Sequence, residues 1–142
     1  ADTVTKSVTV HETPVAAASI NTTQGCSPVT VNLTNSSVGA TTYSWNFGDG
    51  GTSTLSDPSY TYSTPGVYTI SMIATSGAGC SDTVTLPIPI TVNQIPNANF
   101  SRNPASGCAP VNVLFNNTSS SLVTATYQWD FGNGQTSNAQ NP

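Results

Sequence analysis

Charge is what this sequence has least of. Only two of its 142 residues are basic (Lys6 and Arg102) and six are acidic, so charged side chains make up 6% and the formal net charge is −4. An ordinary globular domain carries about a quarter charged residues. Gripping nucleic acid requires Lys and Arg to displace counterions from phosphates, so nucleic acid is excluded as a partner. An anionic membrane surface is excluded for the same reason. No apolar run approaches the roughly 18 residues of a membrane helix, so no membrane insertion is expected, and no basic n-region with an apolar h-region opens the chain. Histidine is scarcer still: His11 stands alone, and one imidazole builds neither a zinc site nor, beside a linker, a Ser-His-Asp triad. The few acids are scattered over turns and strand ends and offer no carboxylate pair for glycoside hydrolysis. No enzyme is expected.

What is abundant is small and hydrogen-bonding. Ser, Thr and Asn number 19, 23 and 14. Two Trp, five Tyr and four Phe join many Val, Ile and Thr, a set that suits pleated sheets and argues against disorder. The chain also repeats itself. Residues 14–37 align without gaps to residues 96–119, matching Pro14 with Pro96, Gly25-Cys26 with Gly107-Cys108, and Pro28 with Pro110. Tyr43-Ser-Trp45-Asn-Phe47-Gly-Asp49-Gly50 returns as Tyr127-Gln-Trp129-Asp-Phe131-Gly-Asn133-Gly134, and residues 1–10 resemble 81–92. The expected organisation is the last strand of a preceding unit at 1–12, a complete unit at 13–93, and the first part of a further unit at 94–142. Between the units Pro96 stiffens a short linker.

Within the complete unit, period-two alternation and Gly/Pro turns predict seven strands, at 15–20, 29–35, 43–47, 52–55, 59–62, 67–75 and 82–92. Pro87 and Pro89 lie two apart in the last, so one side of it has no N–H groups to pair, which predicts an edge strand. No helical period occurs. The fold class is all-β: tandem immunoglobulin-like β-sandwiches of about seven strands each.

The Trp45-Asn-Phe47-Gly48-Asp49-Gly50 turn, the Tyr60 and Tyr62 strand, and Pro65-Gly66-Val67-Tyr68-Thr69-Ile70 resemble the PKD (polycystic kidney disease) domain family. The Gly-Cys-x-Pro and Gly-Cys-Ser-Asp sequences are similar to the variety in long surface proteins of gliding and adhesive bacteria. The resemblance implies a non-catalytic spacer or ligand-binding module, located extracellularly or on a bacterial cell surface. Trp45, Phe47 and Tyr68, and Trp129 and Phe131 in the next unit, are the expected core. Gly48 and Gly50 are expected to supply positive φ, and Asp49 to cap the amides of its own turn. No cofactor is expected. Asn46, Asp49 and Asp57 are the side chains that could offer oxygens to calcium, but such a site needs six to eight oxygens and the next unit has Asn133 for Asp49.

Cys26, Cys80 and Cys108 fall one before each second strand and one in the sixth-to-seventh turn. Strand parity puts Cys26 and Cys80 at opposite ends of the unit, beyond the roughly 4.4–6.8 Å a disulfide spans between Cα atoms. The expectation is a ladder between neighbouring units, with partners outside the chain, rather than a Cys26–Cys80 bridge. Asp-Thr-Val at Thr3 and at Thr83 resembles a short bacterial O-glycosylation signal, although Thr also simply suits a strand start. The functional reading is a rigid stalk of tandem units in an adhesin or surface filament, partnered by its own neighbouring units and by other copies, surface glycans or proteins. The alternatives are a glycan- or protein-binding module and an accessory domain of a secreted hydrolase. Tyr60 and Tyr62 share one face: a solvent face would favour binding, a core face the stalk.

Overall fold

A computed structural model describes residues 2–120 and 125–142. The regular elements among these residues are all β-strands, and the chain divides into unit 1, residues 1–93, and unit 2, residues 94–142.

Unit 1 is a β-sandwich. Its first sheet has the order β1 (Ala18–Ile20), β3 (Val29–Asn35), β6 (Ser59–Tyr62). The second combines two ladders. One is β2 (Gln24–Cys26), β10 (Ile90–Asn93), β7 (Gly66–Tyr68); the other is β5 (Thr52–Ser53), β4 (Thr42–Asn46), β8 (Ser71–Thr75), β9 (Ser81–Thr85). Strand β7 runs on into β8 and β9 into β10, and the Leu86 N–H donates to Ile70 O at 2.9 Å where the ladders meet.

The alternation read from the sequence is the alternation of burial. In β3, Val29, Val31 and Leu33 are buried while Thr30, Asn32 and Thr34 face solvent. Trp45 and Phe47 come from the opposing sheet, with Ile70, Met72, Ala74, Leu86, Ile90 and Val92, and Tyr62 closes the core from β6. Burying each large side chain of this kind contributes roughly 2–3 kcal/mol.

Three local expectations need correction. The first strand continues beyond residue 20 into β2, which pairs parallel to β10, with Thr91 opposite Gln24 and Asn93 opposite Cys26. Alternation gives no hint of this short Gln-Gly-Cys stretch, because only the last strand of the unit calls it into a sheet. The prolines do not mark the last strand as an edge along its whole length. Residue 71 pairs with 85 and residue 68 with 90, so two residues on one strand face the four residues 86–89 on the other. Pro87 and Pro89 occupy this bulge, where no ladder hydrogen bond is asked of them. Only β9 is an edge; β10 lies between β2 and β7. Finally, residues 2–12 form no strand, although they resemble 81–92, and all are exposed. A strand exists only against a neighbour, and among the described residues none pairs with them.

Unit 2 repeats the pairing residue for residue. Strands β11 (Phe100–Asn103) and β12 (Leu114–Asn117) pair Phe100 with Asn117, where β1 and β3 pair Ala18 with Asn35, an offset of 82 at both ends. Strands β13 (Trp129–Asp130) and β14 (Thr136–Ser137) pair Trp129 with Ser137, against Trp45 with Ser53, an offset of 84.

Trp45→Ala is expected to cost unit 1 about 3–5 kcal/mol, the loss for a fully buried large aromatic. Urea titration followed by circular dichroism reads it. An unchanged midpoint would contradict this packing.

Candidate functional site

The turn from Trp45 to Gly51 is held by a set of hydrogen bonds and by the aromatic side chains over it. Trp45 is 1% exposed, and its indole Nε1–H donates to Leu55 O at 2.9 Å. The turn then closes on itself. Gly48 N–H donates to Asn46 Oδ1 at 2.9 Å, Gly51 N–H to Asp49 Oδ1 at 2.9 Å, and Phe47 N–H to Gly51 O at 3.0 Å. Gly48 and Gly50 have φ of 86° and 96°, in the left-handed region that glycine enters without strain. Gly48 has a second constraint: a Cβ there would come within 2.6 Å of Thr69 O.

Four rings bind this turn to both sheets. Phe47 stacks on Tyr60 at 3.9 Å between centroids, Tyr60 meets Tyr62 edge-on at 5.0 Å, and Tyr62 stacks on Tyr68 at 4.5 Å. Their hydroxyls each find an acceptor. Tyr62 donates to Phe47 O at 2.7 Å, Tyr68 to Thr64 O at 2.8 Å, and Tyr60 to the Asp49 carboxylate at 2.9 and 3.0 Å. The hydrogen bond to Asp49 holds the Tyr60 hydroxyl above its usual pKa, assisted by desolvation and the carboxylate's charge. Burial, with that charge, pushes Tyr62 up as well. Both favour the neutral phenol, so their contribution to stability is complete below the ordinary tyrosine pKa of about 10 and fades as pH rises through the raised values. Tyr62 is buried in the core and Tyr60 is half-buried with its ring packed against it, and the partnership of Tyr60 with Asp49 was not legible in their spacing of 11 residues.

Unit 2 shows what the turn requires. Trp129 Nε1–H donates to Ala139 O at 2.8 Å, Gly132 N–H to Asp130 Oδ1 at 2.9 Å, and Gln135 N–H to Asn133 Oδ1 at 3.0 Å. Likewise Asn35 N–H donates to Asp57 Oδ1 in unit 1, and Asn117 N–H to Asn141 Oδ1 in unit 2, both at 2.8 Å. Two carboxylates of unit 1 thus have amide counterparts making the same bonds. These positions need an acceptor oxygen and not a charge, which leaves Asn46, Asp49 and Asp57 engaged with backbone amides. Among the described residues no three His, Cys, Asp or Glu side chains cluster as metal ligands.

In unit 2, Phe100, Phe115, Trp129 and Phe131 line an open groove. Trp129 and Phe131 hold the positions of Trp45 and Phe47, and Phe115 that of Leu33, all core in unit 1. The groove is core surface by this comparison, not a cleft shaped for a ligand.

Two of the three thiols, Cys26 and Cys80, sit at opposite ends of unit 1. Cys26 is opposite Asn93, the last residue of the last strand, and Ser27 N–H donates to Asn93 O at 2.8 Å. Cys80 immediately precedes β9, at that strand's other extreme, near where the chain comes in: Ala16 N–H donates to Asp82 Oδ2 at 2.8 Å. That hydrogen bond, with a second from the Thr83 backbone, holds the Asp82 carboxyl below its usual range. All three thiols are free, Cys26 and Cys108 exposed and Cys80 partly buried. Thr3 lies in the exposed unpaired segment and Thr83 is exposed on β9.

The fold and turn define unit 1 as an immunoglobulin-like β-sandwich module. Residues 11–92 match the family model of the PKD domain, more than half of the sequence, and the chain belongs to that family. The PKD1 domain of the Vibrio cholerae metalloprotease PrtV is 29% identical, with 58% of this chain and 99% of that one covered at a TM-score of 0.50. The PKD1 domain of Vibrio anguillarum Epp is 28% identical, covering 59% and 98%, also at 0.50. A protein from work on promiscuous carbohydrate-binding modules of the β-sandwich superfamily is 26% identical over 69% of this chain, but only 41% of that one, at 0.55.

If Asp49 serves as an acceptor, Asp49→Asn will keep the stability of unit 1 within about 1 kcal/mol, while Asp49→Ala, which strands the Gly51 amide and the Tyr60 hydroxyl, will lose about 1–3 kcal/mol. Denaturant midpoints of the two variants decide it, and equal losses would point to a need for the charge.

Proposed function

We propose that this chain is a non-catalytic spacer, a stalk segment of a long repetitive extracellular protein on a bacterial surface, of the adhesin or surface-filament kind. The observation that carries the reading is where unit 1 places its aromatic rings. Trp45, Phe47 and Tyr62 lie in the core, and Tyr43, Tyr60 and Tyr68 are half-buried with their rings packed against it, which disfavours a free aromatic platform on which a sugar ring could stack. The outer faces carry many hydroxyls and amides, such as Thr30 hydrogen-bonded to Thr61 at 2.8 Å on one sheet and Thr42, Ser44 and Asn46 exposed on the other, beside the exposed aliphatics Val67 and Ile73. Repetition of the same register in unit 2 is what a spacer built from copies of one module needs.

In this reading the partners are neighbouring units of the same kind, joined by a disulfide ladder. Cys26 at the C-terminal pole of one unit meets the counterpart of Cys80 at the N-terminal pole of the next. Thr3 and Thr83, both exposed, are open to O-glycosylation. Other copies in a filament, or surface glycans and proteins, would be met elsewhere on such a molecule.

A second reading, an accessory module beside a secreted catalytic domain, is favoured by the likeness to the domain from the Vibrio cholerae metalloprotease. An antibody to unit 1, applied to intact source cells, separates the two. Surface labelling that is lost on brief protease shaving, on a polypeptide carrying many such units, is the expected result. Signal confined to a released polypeptide with a hydrolase domain would favour the accessory role. Non-reducing peptide mapping of the same polypeptide should find Cys26 joined to a cysteine of a neighbouring unit; a Cys26–Cys80 link would overturn the ladder.

A further inference from the structure

The turn between β13 and β14 repeats the turn of unit 1 with a chemically reactive pair in it. Of the 14 asparagines in the chain, only Asn133 is followed by glycine. At the other asparagines the following side chain crowds any approach of its own backbone nitrogen to the asparagine amide. Gly134 has no side chain, and nothing lies within 4 Å of where its Cβ would stand. Its φ of 83° is in the left-handed region that glycine enters without strain.

Asn133 is exposed. Its Oδ1 accepts the Gln135 N–H at 3.0 Å, and the Phe131 N–H donates to Gln135 O at 3.1 Å, closing the turn around it. The first of these bonds folds the side chain back on its own backbone. The ring that it closes runs from Oδ1 through Cγ and the main chain to the Gln135 nitrogen, and the Gly134 nitrogen is a member of that ring.

We propose that Asn133-Gly134 is a self-converting site, where the chain exchanges its own side-chain amide for a carboxylate without an enzyme. The Gly134 nitrogen loses its proton to solvent and bonds to Asn133 Cγ. The carbonyl electron pair moves onto Oδ1 and returns as the Cγ–Nδ2 bond breaks, and ammonia leaves with a proton taken from solvent. Water then opens the five-membered imide. Attack at Cγ breaks the new bond to nitrogen and leaves aspartate at position 133. Attack at the backbone carbonyl carbon breaks the original peptide bond instead and leaves isoaspartate, with one more methylene in the main chain. Water is consumed, ammonia is released, and nothing is oxidised or reduced.

The turn assists the first step, because the Gln135 N–H is already aimed at the oxygen on which negative charge develops. It is also built for the product. Unit 1 holds Asp49 at this position, and its Oδ1 accepts the Gly51 N–H at 2.9 Å, the bond that Asn133 makes to Gln135. Aspartate at 133 therefore fits the turn as it stands, whereas isoaspartate lengthens the segment that Phe131 and Gln135 close. Conversion gives unit 2 the turn of unit 1 and adds a negative charge to a chain at −4. None of this depends on the stalk reading.

The experiment incubates the whole 142-residue chain at mildly alkaline pH, native and in guanidinium chloride, and follows each asparagine by peptide mass spectrometry. Asn133→Asp marks the authentic product, and fragmentation that cleaves the backbone separates it from isoaspartate. The expected result is conversion at Asn133 several-fold faster in the native chain than in the unfolded one, with a larger share of aspartate and the other asparagines unchanged. Asn133→Gln, whose longer side chain cannot close the five-membered ring, should keep its amide. A native rate equal to or below the unfolded rate, or no gain in the aspartate share, would overturn the proposal.

Discussion

Everything in unit 1 is arranged about the Trp45 indole. Its ring system fills the space between the sheets, and its N–H is answered by Leu55 O at 2.9 Å, so a large apolar body enters the core without leaving a polar group unpaired. The bond also ties β4 to the chain beyond β5, setting the width of the turn between them. With that width fixed, Gly48, Asp49 and Gly50 turn tightly, Phe47 points inward, and Tyr60 and Tyr62 have a surface to pack on. Trp129 makes the matching bond to Ala139 O at 2.8 Å, so the arrangement is a property of the module and not of one copy.

The polar residues around this centre are structural in the same sense. Asp49, Asp57 and Asn46 each receive a backbone N–H, and unit 2 reaches the same result with Asn133, Asn141 and Asp130. Exchanging carboxylate for amide without changing the bond is tolerable where the task is to satisfy a donor, and intolerable where it is to neutralise a cation. The shortage of charge noted in the sequence therefore reflects a module whose hydrogen-bonding needs are met by short neutral side chains, and its surface gives salt and pH little to act on.

How legible this was depends on the range of the interaction. Strands β3, β4 and β6 could be read because their burial alternates with their own sequence, and the glycines of the turn because positive φ is a local demand. The repeat could be read to the level of register. Strand β2 was not legible, since Gln24–Cys26 becomes a strand only when β10, more than sixty residues later, arrives beside it. The bulge at Pro87–Pro89 reads as an edge from sequence because proline spacing records missing donors but not which neighbours would use them. Residues 2–12 make the same point from the other side: a sequence like that of 81–92 stays unpaired where no partner strand lies against it. Cys26 ends β2 where β10 ends, opposite Asn93, and Cys80 precedes β9.

A frame that hangs on one indole has a direct experimental signature in the exchange of that indole's own proton. Hydrogen exchange of the Trp45 Nε1–H, followed by nuclear magnetic resonance, should match the slowest core amides of β3 and β8, because breaking its bond to Leu55 O requires opening the whole unit. Exchange much faster than those amides would mean that the indole bond opens locally while the sandwich stays closed, and that Trp45 fills the core without holding it together.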